Sequence, residues 1–205
     1  MRKNKILILF AHPLYEKSYA HKALIKNIPN TEDVRLHDLY ELYPDFNINI
    51  KYEQELLQEH DIIIWQHPMY WYSCPPLLKQ WIDMVLEYNW AYGNKGNALR
   101  NKLIFQVITT GGKKENYAST GRDRYTIQDL LEPFNQTALV CKMIYLPPYV
   151  VHGTHQMQEA DYEASGKSYG IFLSELLRID IPTNQVLKYD YFNDWCEKEL
   201  KLYGN

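Results

Sequence analysis

An open α/β sheet of parallel strands is the fold class this sequence predicts, and three observations predict it. Five short apolar runs recur along the chain, each about the length of one strand. Segments with apolar residues at helical spacing separate them, so strands and helices alternate. The runs are continuous, as in strands covered by helices on both faces. Crossovers between such strands are right-handed.

Ile6–Phe10 is the first strand, broken by Ala11, His12, Pro13 and Leu14. Ser18 is a candidate N-cap for a helix over Ala20–Ile28. The intervening loop has no glycine, which excludes both the G-x-G-x-x-G turn and the P-loop. A phosphate held by the Ser18 hydroxyl, His12 and free N–H groups at the helix start suits this loop. A plain cap beside a loop histidine suits it equally, and the residues alone leave both readings open. Val34–Leu39 reads as the second strand, Tyr40–Ile50 as irregular chain and Tyr52–Glu59 as a short helix.

Asp61–Trp65 is the third strand. Gln66, His67, Pro68, Met69, Tyr70, Trp71 and Tyr72 follow it, at the strand end where open α/β sheets bind ligands. Three wide rings in a row suit a flat heterocycle better than an ion; packing against a helix or a second subunit is the other reading. Pro76 fits the first turn of a helix that runs to Leu86. Asn89–Asn97 is loop. Leu103–Thr109 is the fourth strand, and Thr109-Thr110-Gly111-Gly112 ends it. Small residues there let N–H groups converge on electronegative oxygens, or simply turn the chain. Lys113–Tyr125 reads as polar and mobile. Ile127–Leu139 reads as a helix kinked or broken at Pro133. Cys141–Leu146 is the fifth strand, stopped by Pro147-Pro148. Gln156–Arg178 suits a final long helix with a break near Gly166, and Phe192–Leu202 a last short one.

The 205 residues suit one domain that buries roughly 70% of its surface on folding. A net charge of −3 and a pI near 6.2 argue against a nucleic-acid surface. Cys74, Cys141 and Cys196 have no metal-ligand spacing and no even framework, so no metal is expected and a reducing cytoplasm is. Behind the basic start, the apolar run Ile6–Ala11 is shorter than a signal region, and nothing reaches the length of a membrane span. Tyrosine is frequent, at 18, which fits ordinary packing or an aromatic-lined cleft or interface.

Several loops then match a known pattern in order. They are Ala11-His12-Pro13 with Ser18, Tyr43-Pro44-Asp45-Phe46-Asn47-Ile48, Trp65-Gln66-His67-Pro68-Met69 and Trp71-Tyr72. Pro75-Pro76-Leu77-Leu78-Lys79, Trp81-Ile82-Asp83, Trp90-Ala91-Tyr92-Gly93 and Thr109-Thr110-Gly111-Gly112 continue it. The chain resembles the flavodoxin-like NAD(P)H:quinone oxidoreductases, and most of all the ancillary flavoproteins of glutathione-gated potassium-efflux systems. The likeness runs from about Ile6 to about Leu177. It implies a flavodoxin-like domain over 1–178, with 179–205 as a C-terminal extension. It implies a five-stranded parallel sheet in order 2-1-3-4-5 with helices on both faces, a homodimer, and bound FMN, with FAD as the family's other choice.

Carried over by position, His12, Ser18, Tyr19, Ala20 and His21 would hold the flavin phosphate. Met69, Tyr70, Trp71 and Tyr72 would run along the isoalloxazine ring. Thr109, Thr110, Gly111 and Gly112 would meet its pyrimidine edge, with Tyr117 as the catalytic tyrosine near a flavin carbonyl. Relatives often have Asn where this chain has His21. Some pair the tyrosine with a nearby histidine, where this chain offers only Asp123. The activity implied is ping-pong transfer of hydride from NAD(P)H to a quinone-like acceptor, in the cytoplasm. The alternative is a regulatory subunit of a potassium-efflux membrane protein, held at the inner face of the membrane. The histidine after the fifth strand, His152, is left unassigned.

Overall fold

The structure is a computed structural model that describes residues 4–200. Its sheet has six strands: β1 (Ile6–Phe10), β2 (Val34–Asp38), β3 (Ile62–Pro68), β4 (Leu103–Thr109), β5 (Ile144–Tyr145) and β6 (Tyr149–Val151). They lie in the order β2-β1-β3-β4-β5, with β6 also on β4, and every pair is parallel. This is the flavodoxin-like arrangement expected from the sequence.

Alternation along the strands divides the core in two. Leu7, Leu9, Ile63, Trp65 and Ile104 pack on the layer of α3 (Ile50–Glu59), α4 (Pro76–Val85) and α5 (Ile127–Val140). Ile6, Ile8, Ile62, Ile64 and Phe105 pack on α1 (Tyr19–Lys26) and α6 (Glu159–Leu176). Both faces are apolar because both are covered.

Several boundaries differ from expectation. The fifth strand is two pieces, because Pro147-Pro148 supply no N–H and interrupt the ladder; pairing with β4 resumes at Tyr149. Cys141 belongs to no strand; it ends α5, and Lys142 turns the chain at φ 61°. Pro133 does not break α5, where buried Leu131, Phe134 and Ala138 hold the helix on either side of the lost bond. Gly166 does not break α6, which starts at Glu159 behind a capping box of Gln158 and Asp161. A Cβ on Gly166 would sit 2.4 Å from the Ala23 carbonyl oxygen of α1, so glycine is what lets the two helices touch. The second strand ends at Asp38, whose carboxylate caps an unexpected short helix, α2 (Leu39–Leu42). The helix expected from Tyr52 starts at Ile50, capped by Asn49. The third strand runs past Trp65 to Pro68.

That extension is polar yet fully buried. Gln66 accepts from the Tyr169 hydroxyl at 2.8 Å, and Gln106 Nε2 lies 3.0 Å from His67 Nε2. Below the sheet, the Glu53 carboxylate accepts from Tyr43 (2.5 Å) and Trp81 (2.8 Å) and meets His37 at 2.7 Å. Beyond α6 the chain forms α7 (Thr183–Val186), α8 (Phe192–Trp195) and a π-helical turn over Cys196–Leu200. The helix expected to Leu202 is thus α-helical for one turn only, and its last two residues lie outside the described residues. Phe192, Trp195 and Cys196 pack into the second core. The Asn193 amide hydrogen-bonds both the N–H (2.8 Å) and the carbonyl (3.2 Å) of Val150, on the open side of β6.

Candidate functional site

The parallel register brings Phe10, Pro68, Thr109 and Val151 to one edge of the sheet. Three loops leave that edge and face one another. In the first, a 3-10 turn over Tyr15–Lys17 leads to Ser18, whose hydroxyl accepts from the His21 N–H at 3.2 Å. Among the described residues no acceptor takes the N–H groups of Tyr19 and Ala20, as expected for a first helical turn. The positive end of the helix dipole adds to them. His12 Nδ1 accepts from the Leu14 N–H at 3.1 Å, and burial pushes its pKa down to about 4.

The second loop is closed by Tyr70 and Ser73, each N–H donating to the other's carbonyl. Between them Trp71 (φ 48°) and Tyr72 (φ 64°) are consecutive left-handed residues. Two bulky residues in that region store roughly 1–2 kcal/mol each. Their N–H groups have no acceptor among the described residues. Trp71 is 93% exposed.

The third loop follows β4. Thr110 donates its N–H to Val151 and its hydroxyl to the Gly112 carbonyl at 2.8 Å. The Gly111 and Gly112 N–H groups likewise have no acceptor among the described residues. The Tyr117 hydroxyl would lie 3.3 Å from a Cβ on Gly112. Desolvation, with Asp123 nearby, holds the Tyr117 phenol above its ordinary pKa.

A groove of about 320 Å³ lies among His12, Ser18, Tyr19, Ala20, Tyr70, Thr109 and Gly111. A flatter one of about 390 Å³ joins it at Gly111 and runs past Met69, Trp71, Tyr72, Gly112 and Tyr117. The groove with the helix N-terminus, Lys17 and Ser18 suits a phosphate. The flatter one, between rings and glycine backbone, suits a planar heterocycle. Bulk at Gly111 would strike the His155 ring, 2.4 Å from a Cβ there. The helix-start groove and the ring-lined groove beside it fit the phosphate and the planar ring of a flavin mononucleotide.

Two residues carried over from the sequence sit behind the groove. His21 is fully buried, with Nε2 3.1 Å from the Thr109 hydroxyl and Nδ1 3.4 Å from Gln66 Nε2. Burial, then the neighbouring His12 and His67, hold it far below the ordinary imidazole pKa, so it stays neutral. Thr110 points beneath its loop. Asp123 is taken up by Arg122, at 2.8 and 3.1 Å. A histidine does reach Tyr117, from the end of β6: the His152 ring centroid is 5.7 Å from that of Tyr117, and its Nδ1 is 3.0 Å from Thr110 Oγ1. Sequence spacing from the paired glycines could not reveal it, and neither could it reveal His155 in both grooves. Among the described residues no cluster of His, Cys, Asp or Glu could hold a metal ion, and no helix is long and apolar enough to cross a membrane.

A model of the flavodoxin-like fold family matches residues 4–170. The glutathione-regulated potassium-efflux system ancillary protein KefG of Pectobacterium atrosepticum is 44% identical over 84% of this chain and 94% of its own length. The crystal structure of general stress protein 14 from Treponema denticola, in complex with FMN, matches with a TM-score of 0.79 and 38% identity, covering 84% of this chain and 99% of that one. An NADPH-quinone reductase from P. pentosaceus matches with a TM-score of 0.74 and 32% identity, covering 82% and 97%.

Proposed function

This chain belongs to the flavodoxin-like family, and from that premise we propose that it is an FMN-dependent NAD(P)H oxidoreductase, reducing quinones or similar acceptors by ping-pong hydride transfer. The single observation that carries the reading is the convergence of acceptor-free N–H groups from three loops on one aromatic-rimmed groove. The FMN-bound and quinone-reductase relatives support it. FAD is the alternative cofactor.

When bound, the flavin supplies a two-electron carrier that takes hydride from NAD(P)H and passes it to the acceptor. The chain's own groups bind and polarise. Tyr19 and Ala20 N–H groups, the Ser18 cap and His12 would hold the phosphate. Met69, Tyr70 and Trp71 would line the ring. N–H groups of Trp71, Tyr72, Gly111 and Gly112, with the Tyr117 hydroxyl, would stabilise charge developing at its polar edge. Hydride transfer needs no protein acid or base, and burial keeps His12 and His21 neutral at the phosphate end. The same reading takes 1–178 as the flavin domain, 179–205 as an extension, and the exposed Trp71 rim as part of a homodimer contact.

Purified protein is expected to be yellow and to oxidise NAD(P)H steadily with a quinone. A pale preparation that takes up neither FMN nor FAD would sink the reading. The KefG likeness favours a second one, a cytoplasmic subunit bound at the inner face of the membrane to a potassium-efflux protein. Co-purification with such a transporter would support it, and a fully flavin-loaded protein without quinone activity would favour it over the enzyme.

A further inference from the structure

The match to the family ends at residue 170, and the relatives are used up over 94–99% of their own length. The C-terminal segment of this chain is therefore extra to them, yet it reaches the candidate site. Tyr191 packs edge-on against His152, ring centroids 5.6 Å apart. The Lys114 ammonium sits over the Tyr191 ring at 4.4 Å and lies 3.5 Å from the Asp194 carboxylate.

His152 has one partner and one orphan. The Thr110 hydroxyl lies 2.8 Å from the Gly112 carbonyl, which can only accept, and 3.0 Å from His152 Nδ1, with the Tyr117 hydroxyl as a third neighbour; giving its one proton to the carbonyl leaves the oxygen to accept from an Nδ1–H of His152. His152 Nε2 is then a bare lone pair, buried with no hydrogen-bond partner. A proton there would be stranded beside aromatic rings and the Lys114 charge. We propose that Tyr191 keeps this imidazole dry and fixed as an Nδ1–H donor, and that His152 is a positioning residue which locks the Thr110 hydroxyl and so aims the Gly111–Gly112 donor pair. Holding the hydroxyl rotor holds the Gly112 carbonyl, and with it the two N–H groups that face the groove.

The lock is a property of the polypeptide; its bearing on flavin binding rests on the function proposed above. Imidazole nitrogen NMR on flavin-free, full-length protein should show His152 as the Nδ1–H tautomer, titrating well below the ordinary range. The charged and titratable groups facing it are Lys114, Glu115, Asp194, Tyr117 and Tyr191. Tyr191→Ala should let water reach Nε2 and raise that titration, while Tyr191→Phe should leave it in place. FMN affinity of flavin-free protein should fall about tenfold in His152→Leu, and stay within about twofold in His152→Asn, which keeps an N–H at Thr110. An Nε2–H tautomer, or His152→Leu binding FMN like the native chain, would overturn the proposal. If the native chain binds no FMN, the functional reading falls, and the tautomer and the Tyr191→Ala titration alone decide the lock.

Discussion

Replacing Gly166 by alanine sets two magnitudes against each other. Alanine is favoured over glycine inside a helix by about 1 kcal/mol. The new Cβ, however, would lie 2.4 Å from the Ala23 carbonyl oxygen and 2.9 Å from its carbon. Those are backbone atoms of α1, with no rotamer to give way, and the same oxygen already accepts from the Asn27 amide at 2.8 Å. An ordinary contact requires roughly 1 Å of movement by the whole helix. Overpacking of this kind costs about 2–3 kcal/mol, the upper half of the usual range, so the net loss is about 1–2 kcal/mol. The loss should appear as a lower urea midpoint at unchanged slope. Because α1 presents Tyr19 and Ala20 to the groove, FMN affinity should drop as well. Gly170 meets Asn27 in the same way, again at 2.4 Å. One shift of α1 relieves both contacts, so the double variant should lose less than the sum of the singles. A Gly166→Ala protein as stable as the native one would show that helix propensity wins and that the helices do not meet there.

Trp71→Ala should leave the urea midpoint unchanged, since the ring is 93% exposed, while purified protein carries less flavin; full flavin content would place the ring outside the site. Burial would raise the Glu53 carboxyl, but the His37 hydrogen bond and charge, with Tyr43 and Trp81, hold it below the ordinary range. Its stabilisation is therefore present above the usual carboxylate pKa and lost as pH falls through the folded value. Glu53→Gln should destabilise by about 2–4 kcal/mol near neutral pH, measured by urea melts, and a loss under 1 kcal/mol would show the network to be slack. Burial lowers His12, His67 and His152 to about 4 and His60 less far. The unfolded chain binds these protons first, so stability is complete above the ordinary imidazole value of about 6.5 and declines as pH falls from there toward 4. Each fully neutral histidine adds up to about 1.4 kcal/mol per pH unit to that slope, and a flat profile between pH 7 and 5 would contradict their burial.

Apolar runs made β1 and β4 legible to the residue, because continuous burial leaves a continuous signature. The end of β3 was not legible. Gln66 and His67 read as loop; backbone pairing with β1 and β4 makes them strand, and their buried side chains find partners 39 to 103 residues away in His21, Gln106 and Tyr169. Gly166 and Pro133 read as breaks because local propensity opposes helix there; packing on α1 and on the sheet overrides it. The three loops of the site stood out by composition and order. The roles within them did not. Whether a histidine lines a groove, as His12 does, or props a strand end from behind, as His21 does, depends on which way a helix faces after folding. His152 stood in view after the fifth strand but carried no role, because its partners come from the fourth strand's loop and from the C-terminal segment, and no local spacing joins the three.

The margin of the sheet at β6 has one more consequence. Strands this apolar are a hazard at an open border, where unpaired amides invite another chain to copy them. Here two prolines cut the border into fragments of two and three residues, and a single asparagine amide plugs the longer fragment. Among the described residues nothing long enough to template a foreign strand is left on that side.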